Sequence, residues 1–317
     1  MTKKVLVTGG AGFIGAHLVR ALVDRGYGVR VLDNFSSGRR ENLDGLPVEI
    51  IVGDVTEAAT VRRAMETMTH VIHLAALPSV ARSLSDPLLT HRVNVTGTLE
   101  VLVAARACGV QRLVFASSSS VYGDAGSGPR REDWPPAPLS PYGVSKLAAE
   151  KYCLAFYAAY GLETTALRYF NVFGPRQDPH SEYAAVIPKF ITAWLSGRRP
   201  VIYGDGEQTR DFTYVDNVVQ GTLLALEGEE AVGQVFNLAM GRQTSLNQLA
   251  QLLREIIGVR SNELMPEHSA PRPADIRHST ADISRARAVL GYAPDVDLRR
   301  GLELTVEWYR HNSSRTE

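Results

Sequence analysis

Thr8-Gly9-Gly10-Ala11-Gly12-Phe13-Ile14-Gly15 lies between a short β-branched run, Val5-Leu6-Val7, and a stretch with helical spacing, His17-Leu18-Val19-Arg20-Ala21-Leu22-Val23. Gly9, Gly12 and Gly15 therefore fall where a strand turns into a helix. At such a turn a phosphate can meet backbone N–H donors with no Cβ in the way, and the helix N-terminus adds favourable partial charge. Three glycines alone describe a tight turn as well as a phosphate cradle. The next run, Val29 to Asp33, ends on a carboxylate about 20 residues further on, where it can accept hydrogen bonds from ribose hydroxyls. No arginine directly follows Asp33, which favours NAD over its 2′-phosphorylated form, although Arg39 and Arg40 lie near. Asp54, after a third run, has two readings that can hold together: contact with an adenine amino group, or the N-cap of a helix before Glu57.

Working outward, β-branched runs near Val5 to Thr8, Val29 to Asp33, Glu49 to Val52, His70 to Leu74, Arg112 to Ala116 and Thr164 to Arg168 alternate with amphipathic helical stretches. That alternation predicts a Rossmann-type, doubly wound α/β fold whose six-stranded parallel sheet is covered on both faces. Beyond Arg168 the chain is richer in Gly, Pro and charge, with helices predicted near Ala185 to Leu195, Leu246 to Ile257 and Leu302 to His311. We expect a dinucleotide-binding unit over 1–170 and a smaller mixed α/β substrate unit over 171–317, some segments of which return to the first.

The 317 residues carry 34 basic and 34 acidic side chains and are 44% apolar, which fits a globular enzyme and lacks the charge of a nucleic-acid binder. Cys108 and Cys153 have no metal-ligand spacing and read as two core thiols in a reducing compartment. The strand begins too early to leave room for a signal peptide, and no apolar stretch approaches 18 residues, so we expect a cytoplasmic protein without a membrane span or a metal.

The fifth run leads into Ser117-Ser118-Ser119-Ser120-Val121-Tyr122-Gly123, and a later helix opens with Pro141-Tyr142-Gly143-Val144-Ser145-Lys146. On that helix Tyr142 and Lys146 are one turn apart and share a face. In isolation such a pair is most often a surface tyrosine with an incidental lysine. A tyrosine of ordinary pKa is ionised in about one molecule per thousand at neutral pH. A neighbouring ammonium and a positively charged nicotinamide ring would both lower that pKa and make a general base. Period-2 geometry puts Ser118 and Ser120 on one face, with Ser117 and Ser119 turned away.

Together, T-G-G-A-G-F-I-G, the H-L-A-A run from His73 to Ala76, S-S-S-S-V-Y-G and P-Y-G-V-S-K resemble the extended short-chain dehydrogenase/reductases, and within them the UDP-sugar 4-epimerases, over nearly the whole chain. The resemblance implies that Tyr142 is the general base, that Lys146 binds the nicotinamide ribose and tunes the tyrosine, and that Ser118 hydrogen-bonds the reacting 4-hydroxyl, with Ser120 as a second candidate. It implies an NAD site built from Gly9, Gly12, Phe13, Ile14, Gly15, Asp33, Asn34, Ser37, Gly38, Asp54, Val55, Leu74, Ala75, Ala76, Asn94 and Tyr169, besides Tyr142 and Lys146.

Related 4,6-dehydratases carry an Asp-Glu pair just before the strand-end tyrosine, and UDP-glucuronate decarboxylases a glutamate beside it. Here the positions are Ser119 and Ser120. Without a second acid and base, a 4-keto sugar can turn over and take its hydride back on the other face, which is epimerisation. Arg168-Tyr169-Phe170-Asn171-Val172-Phe173-Gly174-Pro175-Arg176 resembles the segment of epimerases acting on UDP-N-acetylhexosamines, with Asn171 reaching the diphosphate. The family pattern adds Arg210, Arg272, Asp275, Val186 and Tyr203 to the substrate site; planar guanidinium forks suit a diphosphate. Arg176 is equally a phosphate ligand or a surface side chain. Ser279 occupies a gatekeeper position whose small size leaves room for a 2-acetamido group, so both UDP-hexoses and UDP-N-acetylhexosamines are expected substrates. The resemblance also implies a homodimer through the stretches Pro87 to Cys108 and Tyr142 to Tyr160. The competing readings are a UDP-glucuronate 4-epimerase or net sugar-nucleotide oxidoreductase, and a non-catalytic NAD sensor or scaffold; members of the last kind commonly lose the Tyr/Lys pair.

Overall fold

The computed structural model describes residues 3–124, 128–179, 185–271 and 276–312. The six β-branched runs form β1 (Lys4–Thr8), β2 (Gly28–Asp33), β3 (Glu49–Val52), β4 (His70–His73), β5 (Arg112–Ser118) and β6 (Glu163–Tyr169). Past β6 come the short strands β7 (Val172–Phe173), β8 (Val201–Tyr203), β9 (Thr209–Arg210) and β10 (Thr213–Tyr214), then β11 (Gln234–Leu238), β12 (Thr244–Ser245) and β13 (Glu267–Ser269). β11 returns to the large sheet, which runs β11-β6-β5-β4-β1-β2-β3 with every pairing parallel. The expectation of six strands thus falls one short. Gln234–Leu238 has a single β-branched residue, Val235, and lies amid Gly-rich turns, so its strand signal is weak.

The helices are α1 (Phe13–Asp24), α2 (Ala58–Met65), α3 (Val80–Ser85), α4 (Pro87–His91), α5 (Gly97–Ala107), α6 (Pro141–Tyr160), α7 (Val186–Leu195), α8 (Val215–Glu227), α9 (Leu246–Ile257), α10 (Ser284–Leu290) and α11 (Leu298–Asn312). Local chemistry sets their ends. Ser140 caps α6 by accepting from the Gly143 N–H, Pro141 opens it, and Gly161 at φ +70° stops it. α9 carries a reciprocal Ser245/Gln248 capping box. α11 starts four residues before the expected Leu302, because the Asp297 carboxylate accepts from the Arg300 N–H.

One apolar cluster joins α1, α8, α9 and α11 to the sheet, and a second lies under α2, α5 and α6. Cys153 is in the second; Cys108 is only half-buried at the end of α5, so the reading of two core thiols holds for one of them. No helix among the described residues is long and apolar enough to cross a membrane. Strand order reverses between β1 and β4, which opens a crevice at their C-terminal ends.

Candidate active site

The glycine loop leaves β1 at this crevice. A Cβ on Gly9, at φ +70°, would lie 2.9 Å from the Ala75 nitrogen, and one on Gly15 would lie 2.1 Å from the Gly9 carbonyl. The packing of the chain itself therefore requires glycine at both positions. Gly12 differs. Its φ of −73° suits any residue, and a Cβ there would meet one protein atom within 4 Å, the Gly9 oxygen at 3.3 Å. Gly12 is also the N-cap of α1, and no side chain caps the first-turn N–H groups. A bare cap with uncapped donors fits a pyrophosphate at this helix end.

Asp33 is buried beside the loop. Its Oδ2 accepts from the Ala11 N–H at 2.9 Å and its Oδ1 from the Phe35 N–H at 2.8 Å. Burial pushes its pKa up, and the two N–H groups oppose that only in part. Each oxygen keeps a lone pair for a ribose hydroxyl. Gly38 closes over it: a Cβ there would stand 3.0 Å from Oδ1. Exposed Asn34 donates its amide to Asp54 Oδ2 at 2.7 Å, linking the ends of β2 and β3. Asp54 does not cap the helix. The N-cap is Glu57, and the Asp54 carboxylate turns the chain by accepting from the Thr56 N–H and hydroxyl. Burial alone would raise Asp54, but the Thr56 and Asn34 donors outweigh it and hold the group below the usual range. The two arginines that might have served a 2′-phosphate are engaged elsewhere: Arg40 stacks over Phe35 at 5.2 Å, and Arg39 pairs with Asp178 at 3.5 Å. Ser37 is exposed at this rim, whereas the Val55 side chain is in the second core cluster, leaving its main chain for any ligand.

Behind the loop runs a buried relay that the sequence did not single out. Thr98 donates its hydroxyl to the Asn94 carbonyl at 2.6 Å, so it must accept from His73 Nε2 at 2.9 Å. His73 Nδ1 is then the acceptor for the Thr8 hydroxyl at 2.7 Å, and Thr8 in turn accepts from the Ala75 N–H at 3.3 Å. Burial, with the charge of Lys146, drives the His73 pKa down to about 3, so the ring is neutral. Asn94 completes the tie: its Oδ1 accepts from the Leu77 N–H at 2.8 Å, and its Nδ2 donates to Ser145 on α6 at 3.0 Å. The relay thereby fixes Leu74, Ala75 and Ala76 against the glycine loop. A polar residue at each end of the apolar pair in His70-Val71-Ile72-His73 was the available signal.

Ser118 ends β5, and Tyr142 and Lys146 face it from α6. Burial raises the Tyr142 pKa, and the neighbouring Ser118 hydroxyl opposes the rise. Ser118 also donates to the Ser120 hydroxyl at 3.1 Å, although Ser120 lies in a 3₁₀ turn and not on an extended strand. Ser117 turns away, as alternation requires, to donate to Glu150 at 2.8 Å. The Lys146 ammonium donates to the Ala116 carbonyl at 2.8 Å and lies 4.9 Å from the Phe115 ring centre. Burial brings its own pKa down to about 8.

Asn171, Val186, Tyr203 and Arg210, four residues chosen from sequence, meet in one cavity of about 250 Å³ walled also by Phe190 and Phe212. Asn171 holds a positive φ of 29°, rare for a side-chain-bearing residue and concentrated at functional loops. Buried Ser279 is outside that wall but adjoins it, donating its N–H to Thr209, the neighbour of Arg210, at 3.2 Å. Asp211 organises this end by accepting from the N–H groups of Met240, Gly241 and Ala281, and burial lifts its pKa to about 6. Arg176 is not in the cavity; it donates to Asn42 at 3.2 Å on the glycine-loop side. The Tyr169 hydroxyl is bonded to Thr222 of α8 at 2.8 Å and is turned to that helix. Arg272 and Asp275 lie outside the described residues.

Residues 5–239 match the model of the NAD dependent epimerase/dehydratase family. The chain is 42% identical to a UDP-glucose 4-epimerase of Mycolicibacterium smegmatis, covering 98% of this chain and 99% of that one. It superposes with a TM-score of 0.93 on the UDP-glucose 4-epimerase of Thermotoga maritima solved with UDP-glucose, at 41% identity over 98% of this chain and 99% of the other. The same score, identity and coverages hold for a UDP-N-acetylglucosamine 4-epimerase of Methanobrevibacter ruminantium M1 solved with UDP-N-acetylmuramic acid. With the glycine loop and the Ser/Tyr/Lys group at the ends of one parallel sheet, and the cavity beside them on the strands and helix that follow, the chain belongs to the NAD dependent epimerase/dehydratase family of enzymes.

Proposed function

We propose that this protein is an NAD-dependent UDP-hexose 4-epimerase that interconverts UDP-glucose with UDP-galactose and UDP-N-acetylglucosamine with UDP-N-acetylgalactosamine. The observation that carries the reading is that buried Tyr142 and Ser118 act on one another at the end of β5, with Ser119 and Ser120, not an acid/base pair, next on the turn. When bound, NAD supplies a reversible acceptor for the hydride of carbon 4. Tyr142 takes the 4-hydroxyl proton while Ser118 holds the oxygen, and Lys146 fixes the helix that presents Tyr142. The sugar becomes a 4-ketone. Nothing at positions 119 and 120 can remove water, so after the sugar has turned carbon 4 would regain its hydride on the opposite face while Tyr142 returns the proton to the oxygen. Asn171 and Arg210 retain the diphosphate meanwhile, which lets the ketone rotate without escaping.

The aliphatic and aromatic side chains of Leu88, Val103, Val144 and Tyr152 are exposed on α4, α5 and α6, and they support assembly as a homodimer through these helices. Sedimentation at micromolar concentration tests it, a monomer counting against the assembly.

Purified protein incubated with each of the four UDP-sugars, without added cofactor, is expected to give the 4-epimer by chromatography. No interconversion of any of them, even with NAD supplied, would overturn the reading. Net NADH accumulation with UDP-glucose would point instead to an oxidoreductase.

A further inference from the structure

A buried side-chain bridge joins the catalytic turn to the stretch that carries Ser279. Tyr122, at the end of the serine turn, is 1% exposed, and its hydroxyl donates to Asn237 Oδ1 at 2.7 Å. Asn237 sits fully buried on β11. Its Nδ2 donates to the carbonyls of Arg130 and Asp282 at 2.8 and 3.1 Å, and its own N–H to Glu132 at 2.8 Å. Those segments also clasp each other. The Arg130 N–H donates to Thr280 at 2.7 Å, and the Asp282 N–H to Arg130 at 2.9 Å. Behind the Tyr122 ring stands the Arg168 guanidinium, 4.6 Å from its centre, itself bonded twice to Glu150 one turn beyond Lys146.

We infer that Tyr122 and Asn237 are specificity-positioning residues: the pair fixes how far the Ser279 stretch stands from the Ser118 turn, and so the room left for a substituent on carbon 2 of the sugar. The inference rests on the reading of Ser279 as the residue that gates a 2-acetamido group. Burial gives the pair its force. Without the Tyr122 hydroxyl, the buried Asn237 amide oxygen loses its donor, so the amide reorients and releases one or both carbonyls that hold residues 280–282.

Tyr122→Phe removes that hydroxyl alone and keeps the ring under Arg168. Two quantities are read: the ratio of kcat/KM for UDP-N-acetylglucosamine over UDP-glucose, and amide hydrogen exchange across residues 279–282. The ratio is expected to change by about two- to tenfold, mainly through KM, as one buried neutral hydrogen bond allows. Exchange of the Ala281 and Asp282 amides is expected to accelerate. Asn237→Asp keeps the acceptor for Tyr122 but loses both donors, and it carries the same two readouts should Tyr122→Phe not fold. Proportional loss on both sugars with an unchanged ratio, as a purely structural defect gives, would overturn the inference, and so would unchanged exchange. Were the wild type inactive on every UDP-sugar, the functional reading would fall separately; faster exchange would still support the bridge and unchanged exchange refute it.

Discussion

Lys146 places its ammonium 2.8 Å from the carbonyl of Ala116, two residues before Ser118 on the same strand. The lysine therefore ties the helix of Tyr142 to the strand of Ser118, whatever it adds through charge. Lys146→Met should lower kcat by on the order of 10²-fold, since both the proton transfer and the alignment it needs are lost. Lys146→Arg should recover little, because a planar guanidinium does not fit where a single compact donor does. Single-turnover rates with saturating cofactor test this; a Met variant near the wild-type rate would show that the tie is dispensable.

The glycines of the loop separate ligand-driven from fold-driven sequence requirements. A Cβ on Gly15 would sit 2.1 Å from the Gly9 oxygen, so Gly15→Ala should cost about 2–3 kcal/mol or more in urea unfolding. At Gly12 the nearest atom is 3.3 Å away, so Gly12→Ala should cost only about 1 kcal/mol, the loss of a glycine N-cap. Its effect belongs on the cofactor: NAD affinity by calorimetry should fall at least about tenfold, as the new methyl group blocks close backbone approach. Unchanged affinity in Gly12→Ala would mean that the pyrophosphate does not approach this helix end.

The sheet was legible where β-branched runs were bounded by turn residues, and the Ser/Tyr/Lys group where its members sit in short local motifs. The seventh strand was not, since Gln234–Leu238 carries a single β-branched residue, Val235, where the shorter Glu49–Val52 carries three. Long-range polar partnerships were equally hidden. Tyr122 and Asn237 are 115 positions apart, and Arg168 and Glu150 meet only because β6 packs under α6. Lys146 shows the same limit from the other side: helical spacing placed it with Tyr142, but only the folded strand end revealed the Ala116 carbonyl that competes for its ammonium.

His73 makes the fold acid-sensitive in a defined window. An ordinary histidine titrates near 6.5 and the buried His73 near 3, so between those values the unfolded chain binds a proton that the folded chain refuses. Its contribution to stability is complete above pH 6.5 and is lost on acidification by about 1.4 kcal/mol per pH unit until pH falls to about 3. A His73→Gln variant lacks that titration. The stability advantage of wild type over variant should therefore shrink by about 2 kcal/mol between pH 7.5 and pH 5.0, measured by urea unfolding. A difference that stays constant with pH would show that His73 protonates inside the folded protein.

Ser279 is buried next to the strand of Arg210, its N–H on Thr209 and the stretch beyond it clasped by Arg130. Both sides of its main chain are thus held. A larger side chain at this position cannot swing away by moving the backbone, and it must fill whatever space the sugar uses. Ser279→Tyr should consequently abolish turnover of UDP-N-acetylglucosamine while UDP-glucose loses no more than about tenfold, because the excluded volume falls on the acetamido group alone. Parallel kcat/KM measurements on the two sugars decide the matter. Equal losses on both would remove Ser279 from the gate and leave the cavity of Asn171 and Arg210 to select only the nucleotide.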